Sequence, residues 1–288
     1  MARILVTGIA TLDHVVDVDQ YPAEDSEQRA LGAQTVPGGN AANTAYLLVQ
    51  AGHQVDLAAV VAAGQDGDAL LTALSARGIG TGRCIRRSGR TPTSWIVRSR
   101  ATGSRTIVHD RDLPELDAEG FAQPGLEAYD WFHFEGRNPA ELPGLLRAVR
   151  QIAVDQPISL ELEKPRAGLE ASLSLADVLT YSRGWALAQG VPTPEAFIQG
   201  VSVVWPEPVQ TLTWGPRGAW ITQHGRIDHC PPQSGLQVRD SLGAGDSFNA
   251  GLIDALVSGE PAPRALARAV RLAERKLQQV GLDGLFVP

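Results

Sequence analysis

Short runs of Val, Ile and Leu recur along this chain, separated by longer stretches in which apolar residues return every three or four positions. The runs read as strands buried on both faces, and the longer stretches as helices laid across them. Strands are expected at residues 3–9, 54–61, 130–134, 158–162, 178–181 and 210–214, and helices at 41–50, 66–77, 140–154, 244–258 and 262–280. Gly52 and Gly259 follow two of these helices, where a residue free to take positive φ ends a helix with least strain. Strand and helix repeated in this way predict a doubly wound α/β core, with a central mainly parallel sheet and helices on both faces.

Two segments, 11–36 and 84–111, break that rhythm. In the second, the stretches 91–100 and 104–110 flank the turn Ala101-Thr102-Gly103, a hairpin pattern. Strands with no helix between them should form a small antiparallel sheet projecting from the core, suited to be a lid, a subunit contact or both. No repeat, low-complexity tract or linker divides the chain, so one domain spanning residues 1–288 is expected, with both lid segments inside it.

Composition narrows the function. With 288 residues, 43% of them hydrophobic, the chain can bury a large core and has the size of an enzyme. A formal net charge of −7 leaves no overall positive field for nucleic acid or an anionic membrane. No uncharged apolar stretch approaches the roughly 20 residues that cross a bilayer. The N-terminal apolar run, broken by Thr7, Gly8, Thr11 and Asp13, reads as a first core strand rather than a signal peptide, so a cytoplasmic protein is expected. Cys84 and Cys230 form no C-x-x-C pair and read as buried or incidental thiols. None of the six histidines has metal-ligand spacing, and His133, between Phe132 and Phe134, reads as a packed residue.

The most informative string is Asp240-Ser241-Leu242-Gly243-Ala244-Gly245-Asp246-Ser247-Phe248-Asn249-Ala250, just before a long helical pattern. Glycines at the start of a helix let the backbone turn tightly, and the free N–H groups and positive dipole end there stabilise an anion. Such a turn would take up the charge of a phosphoryl group in transfer, with Asp246 beside it to accept a proton from an attacking hydroxyl. A tight turn with Asp246 as a helix cap would need the same residues. Near the other end, Gly38-Gly39-Asn40-Ala41-Ala42-Asn43 opens another helix. There Gly39 would allow close approach of backbone to a ligand, while the amides of Asn40 and Asn43 can donate to and accept from vicinal hydroxyls.

Together the two strings resemble the signatures of the ribokinase-like, or PfkB, carbohydrate kinases: D-T-x-G-A-G-D, with serine replacing threonine at Ser241, and the Gly-Gly-x-x-x-Asn sugar-binding turn. Within that family the resemblance is to the ketohexokinases, ATP-dependent fructokinases that make the 1-phosphate. It rests on Leu12-Asp13, the segment 21–27, Gly103-Ser104-Arg105-Thr106-Ile107, the Glu135-Gly136-Arg137-Asn138 string and the Glu163-Lys164-Pro165-Arg166 string, and it weakens at 184–210.

The resemblance implies a ribokinase-like fold, ATP and Mg2+, and a homodimer interlocked through the lid. It implies that Asp13, Asp25, Gly39, Asn40 and Asn43 contact the sugar, with Arg105 and Glu135 nearby, that Asp246 is the catalytic base, and that Gly243, Ala244 and Gly245 form the anion turn. For the nucleotide it points to Ser182 and Arg183, and to the turn Trp214-Gly215-Pro216-Arg217-Gly218, where an ordinary hairpin turn would look the same. The Asn-x-x-Glu of many family members, linked to the metal, is replaced by Ser182-Arg183-Gly184-Trp185. Magnesium contacts therefore stay unassigned. Glu161 and Glu163 point the same way on a strand and would either orient metal-bound water or pair with Lys164 or Arg166. The expected reaction is phosphoryl transfer from MgATP to a ketohexose. The rivals are another acceptor (ribose, another ketose, a sugar acid or a nucleoside) and a sugar-sensing protein without catalysis.

Overall fold

A computed structural model describes residues 1–122 and 124–286. In chain order its strands are β1 (Arg3–Thr7), β2 (Thr11–Val18), β3 (Gly32–Gly38), β4 (Gln54–Ala58), β5 (Val60–Ala62), β6 (Ile85–Arg87), β7 (Thr93–Ser99), β8 (Arg105–Asp110), β9 (Trp131–Glu135), β10 (Ile158–Leu162), β11 (Val178–Ser182), β12 (Val209–Thr213), β13 (Ala219–Gln223) and β14 (Arg226–Cys230). The helices are α1 (Asn40–Gln50), α2 (Gln65–Ala76), α3 (Ala118–Phe121), α4 (Leu142–Ile152), α5 (Glu170–Leu173), α6 (Arg183–Ala188), α7 (Pro194–Val204), α8 (Ala244–Val257) and α9 (Ala262–Gln278).

An eight-stranded sheet in the order β14-β13-β12-β11-β10-β9-β1-β4 forms the centre, parallel throughout except where β13 runs against both its neighbours. Successive side chains of a strand point to opposite faces. Ile4 and Val6 thus join a core with α1, α8 and α9, whereas Leu5 joins Phe132, Phe134 and α4 on the other face. Helix α4 shows why such elements form. It buries Leu142, Leu145, Leu146 and Val149 on one face, and each full burial is worth about 1.5–3 kcal/mol, more than helix propensity supplies. No helix among the described residues is long and apolar enough to cross a membrane.

The expected α/β core and small second sheet are both present, with three differences. First, the small sheet, in the order β3-β2-β7-β8, is mixed: each hairpin is antiparallel, but β2 and β7 run parallel where the hairpins join. Second, the strand expected at 54–61 breaks at Ala59. Its first half stays in the large sheet, while β5 pairs with β6, so residues 85–87 belong to this two-stranded sheet and not to the lid. Third, the β13–β14 hairpin and α7 were not foreseen. The hairpin turns on His224 and Gly225, both at positive φ, a two-residue His-Gly turn that stands outside the usual Asn-Gly signal.

Parallel strands place all their C-terminal ends on one edge of the sheet. Chain order reverses around β1, whose neighbours are β4 on one side and β9 on the other. That crevice is where an open α/β sheet receives a ligand.

Candidate active site

A cavity of about 250 Å³ opens at that crevice, between the small sheet and the N-terminal ends of α1 and α8. The core contributes Gly39, Asn40, Asn43, Glu161, Glu163, Gly243, Gly245 and Asp246 to its walls, and the small sheet contributes Thr11, Asp13, Ser94, Ile96, Arg105, Ile107 and His109.

Each helix N-terminus reaches the cavity through a glycine. Gly39, the residue before α1, has φ +97°, and a Cβ there would stand 2.5 Å from the Ile9 carbonyl oxygen. Only glycine lets α1 close on the chain leaving β1. One turn of helix then sets Asn40 and Asn43 on a common face. Asn43 Nδ2 donates to Asp246 Oδ2 at 2.8 Å, and Asn40 Nδ2 donates to Glu163 Oε2 at 3.1 Å. At α8 the preceding residue Gly243 has φ +81° and no side chain caps the helix. A Cβ on Gly245 would meet nothing within 4 Å, so the glycine keeps open the space in front of the first turn.

Asp246 lies in that first turn and is buried. Burial pushes its carboxyl up to about 8; the charges of Glu163 and Glu135 act in the same direction, while Asn43 and Arg105 oppose them. Glu161 is also raised, by burial first and then by Asp246, Glu135 and Glu163, and its Oε2 has no hydrogen-bond partner. Asp13 is raised by burial, though Thr11 Oγ1 donates to its Oδ1 at 2.6 Å. It rests on Gly38, where an added Cβ would lie 1.9 Å from Asp13 Oδ2.

Other residues singled out in the sequence stand elsewhere. Glu135 lies behind the wall, its Oε2 accepting from Ile9 N–H at 3.0 Å and its Oε1 from Arg137 Nε at 2.7 Å. It therefore steadies Arg137, which does line the cavity. Asp25 is exposed on the β2–β3 connection at φ +56° and does not reach the cavity, because that stretch runs outside the sheet. Ala244 supplies only backbone at the start of α8. Ser182 Oγ caps α6, accepting from Trp185 N–H at 3.0 Å and donating to the Glu163 carbonyl at 2.5 Å. Arg183 lies 5.7 Å over the ring of Trp214, which is itself buried in the core. Arg217 pairs with Glu195 at 2.5 Å. Gly215 and Gly218 take φ of +54° and +83° around this turn, and a Cβ on Gly218 would stand 2.2 Å from the Cys230 carbonyl. These residues gather at the ends of β11 and β12, beside the cavity lining rather than in it.

Sequence reasoning missed Thr11, Ser94, Ile96, Ile107 and His109. The signal was present in the hairpin: the pairs Ser94–His109 and Ile96–Ile107 alternate along β7 and β8, so they share a face. His133 is fully buried, with Nδ1 2.8 Å from Ser159 Oγ, and burial lowers it to about 4. It is a packing residue.

The sequence pattern described as pfkB family carbohydrate kinase matches residues 1–286. The chain belongs to that family. Mouse ketohexokinase is 32% identical to this pfkB kinase over 293 residues, covering 98% of both chains. Among solved structures, a provisionally assigned ribokinase from Agrobacterium tumefaciens superposes with a TM-score of 0.87 at 22% identity, covering 99% of this chain and 94% of its own. Arabidopsis thaliana ribokinase, solved with ribose and ATP, gives 0.76 at 19% identity, covering 97% of this chain and 94% of its own. The likeness to these structures establishes the ribokinase-like fold of the pfkB kinase.

Proposed function

We propose that this carbohydrate kinase transfers the γ-phosphoryl group of ATP to a hydroxyl of a ketohexose, with fructose and fructose 1-phosphate as the favoured pair. The observation that carries the reading is the buried Asp246 carboxylate, held by Asn43 at the mouth of an uncapped helix that a glycine turn keeps open. The ketohexose assignment rests on full-length similarity to mouse ketohexokinase.

In this reading Asp13, Asn40 and Asn43 orient the sugar through paired hydroxyl contacts. Asp246 takes the proton of the attacking hydroxyl; burial raises its proton affinity and so strengthens it as a base, while Asn43 and Arg105 favour the ionised form that must act. Backbone N–H groups of the 243–245 turn and the dipole of α8 receive charge developing on the phosphoryl oxygens. Arg105, whose Nη1 donates to Ser241 Oγ at 2.9 Å, holds positive charge at that end of the cavity. The nucleotide would run along the ends of β11 and β12, past Ser182, Arg183 and the Gly215 to Gly218 turn.

No group of three or more metal-ligating side chains occurs among the described residues. Magnesium keeps most of its waters and is held through one or two carboxylates plus phosphate. Glu161, with its unpartnered Oε2, and Glu163 would hold those waters. Magnesium supplies charge neutralisation on the phosphates when bound. The ion-pair alternative is weak: Lys164 is 3.9 Å from Glu163 and Arg166 donates to the Gly136 carbonyl.

The test is ADP release with MgATP and fructose, ribose, adenosine or a sugar acid, with the product's phosphate position read by NMR. Turnover led by fructose and a 1-phosphate product is the expected result. Faster turnover of another acceptor would move the substrate, and sugar binding without acceptor-dependent ADP would sink the kinase reading.

The same reading includes a homodimer through the small sheet. Strand β8 is exposed along its whole length at the sheet edge, and Trp95 pairs with Val108 on the face turned away from the cavity, at 47% and 63% exposure. An unpaired edge carrying an aromatic residue is a ready subunit contact. Light scattering should give twice the 30.6 kDa chain mass, and Trp95→Asp with Val108→Asp should give the monomer. A monomeric wild type would remove the dimer from the reading.

A further inference from the structure

Arg98 lies on β7 on the face that carries Ser94 and Ile96, yet it makes no contact that the proposed chemistry uses. Its side chain is buried, only 7% exposed. Nε and Nη2 form a fork on Asp17 of the neighbouring strand β2, at 2.6 and 2.9 Å. The remaining donor, Nη1, leaves the small sheet and reaches Asp240 Oδ2 at 2.9 Å.

Asp240 opens the turn that leads to Asp246. Its side chain is 1% exposed and also accepts from Lys276 Nζ at 3.0 Å, Leu242 N–H at 3.0 Å and Gly281 N–H at 3.2 Å. Burial opposes its charge, but Lys276 and these donors hold the carboxyl below its usual range. The cluster therefore sets two buried cations, Arg98 and Lys276, against the buried Asp240 and the half-exposed Asp17, so that no buried charge lacks a partner. Lys276 belongs to α9 and is as deeply buried as Asp240.

The hydrogen bonds divide the cluster unequally. Arg98 is fixed to the small sheet by two bonds, and Asp240 accepts three from α9, Gly281 and its own turn, so within this buried cluster the Arg98–Asp240 bond is the one that crosses from the small sheet to the turn. A cavity of about 170 Å³ borders that crossing, lined also by Asp13, Asn43 and Leu282, which leaves the small sheet room to shift there. Further along, Gly103 packs its backbone on Val238, and Ser241 Oγ donates to the Gly103 carbonyl at 3.3 Å. The tip of the β7–β8 hairpin is thus docked on the same segment.

We infer that Arg98 is a positioning residue: through Asp240 it ties the small sheet to the phosphate turn, so that the roof of the cavity closes in register with the 243–245 backbone. The inference does not depend on which sugar is the acceptor. It assigns to Arg98 a role in holding Asp13 and Arg105, both carried by the small sheet, over the turn.

The test uses the full chain with Arg98→Met combined with Asp17→Leu, which replaces the buried Arg98 and its half-exposed partner by apolar side chains and so leaves no unpaired charge in the small sheet. Arg98→Lys, which keeps the charge and loses the fork, is the second variant. In the unliganded double variant, amides of residues 11–18 and 93–110 should exchange about tenfold faster with the large sheet unchanged, the order expected for losing one charge-assisted hydrogen bond. KM for the best acceptor should rise about tenfold while kcat falls less. Arg98→Lys should lie between. Exchange and KM within twofold of wild type in the double variant would overturn the inference. So would faster exchange spread evenly over the large sheet, which would make the pair a prop for stability alone. If wild type turned over no acceptor, the kinase proposal would fail while the exchange measurement still decided the tie.

Discussion

Asp246→Asn should lower kcat by about 10²–10⁴-fold, the usual contribution of a positioned base, while sugar binding changes little. The amide still offers an oxygen to Asn43, whose Nδ2 now donates to Asp246 Oδ2 at 2.8 Å. The same variant should be more stable than wild type, and the gap should depend on pH. Burial, followed by Glu163 and Glu135, lifts the folded carboxyl to about 8 from an ordinary 3.8. Between these values the folded protein holds a proton that the unfolded chain releases, so stability from this group falls as pH rises across the window. Below about pH 4 both states are protonated and the cost vanishes. Thermal denaturation should show similar midpoints for the two proteins near pH 4 and a variant several degrees higher near pH 8. Equal midpoints at both pH values, or turnover close to wild type, would remove Asp246 from the role of buried base.

Gly38→Ala should raise KM for the sugar by roughly 10–100-fold, the equivalent of losing a hydrogen bond to a charged group. The added methyl would fall 1.9 Å from Asp13 Oδ2 and 2.4 Å from its Cγ. The aspartate is short and tethered to Thr11, so relief requires the whole carboxylate to swing off its site. In the proposed mechanism the base lies on α8 and the anion turn at its start, so kcat at saturating sugar should fall far less. Asp13→Ala provides the control: adding it to Gly38→Ala should cost little more, because both remove the same contact. A Gly38→Ala enzyme with wild-type KM would show that Asp13 does not hold the sugar.

The parts of this protein that were legible in its sequence are those in which chemistry and backbone constraint coincide. Gly39, Asn40, Asn43, Gly243, Gly245 and Asp246 could be picked out because glycine at positive φ or in front of an open helix end, followed by polar side chains one turn later, leaves a mark in a short string. The central strands were legible because β1, β9, β10, β11 and β12 are buried on both faces and so read as plain apolar runs. Much of what escaped depends on partners that a short string does not show. Glu135 looked like a ligand residue until Ile9 N–H and Arg137 were found to occupy both its oxygens. Trp214, read as a nucleotide contact, proved to be core. The parallel join of β2 to β7 could not be inferred from two local hairpins, since each fixes its own turn and neither fixes how they meet.

The cavity's two halves differ in their freedom to change. Its floor is set by residues with no room for variation: a Cβ at Gly8 would stand 2.6 Å from Glu135 Oε2, and one at Gly39 would stand 2.5 Å from the Ile9 carbonyl oxygen. Its roof is a hairpin whose second strand is exposed from end to end, so Ile107 and His109 can be exchanged without disturbing a core. An enzyme built in this way keeps its phosphoryl-transfer chemistry while its acceptor range evolves, because new specificity can be written on one side of the sugar and erased from it without touching the other.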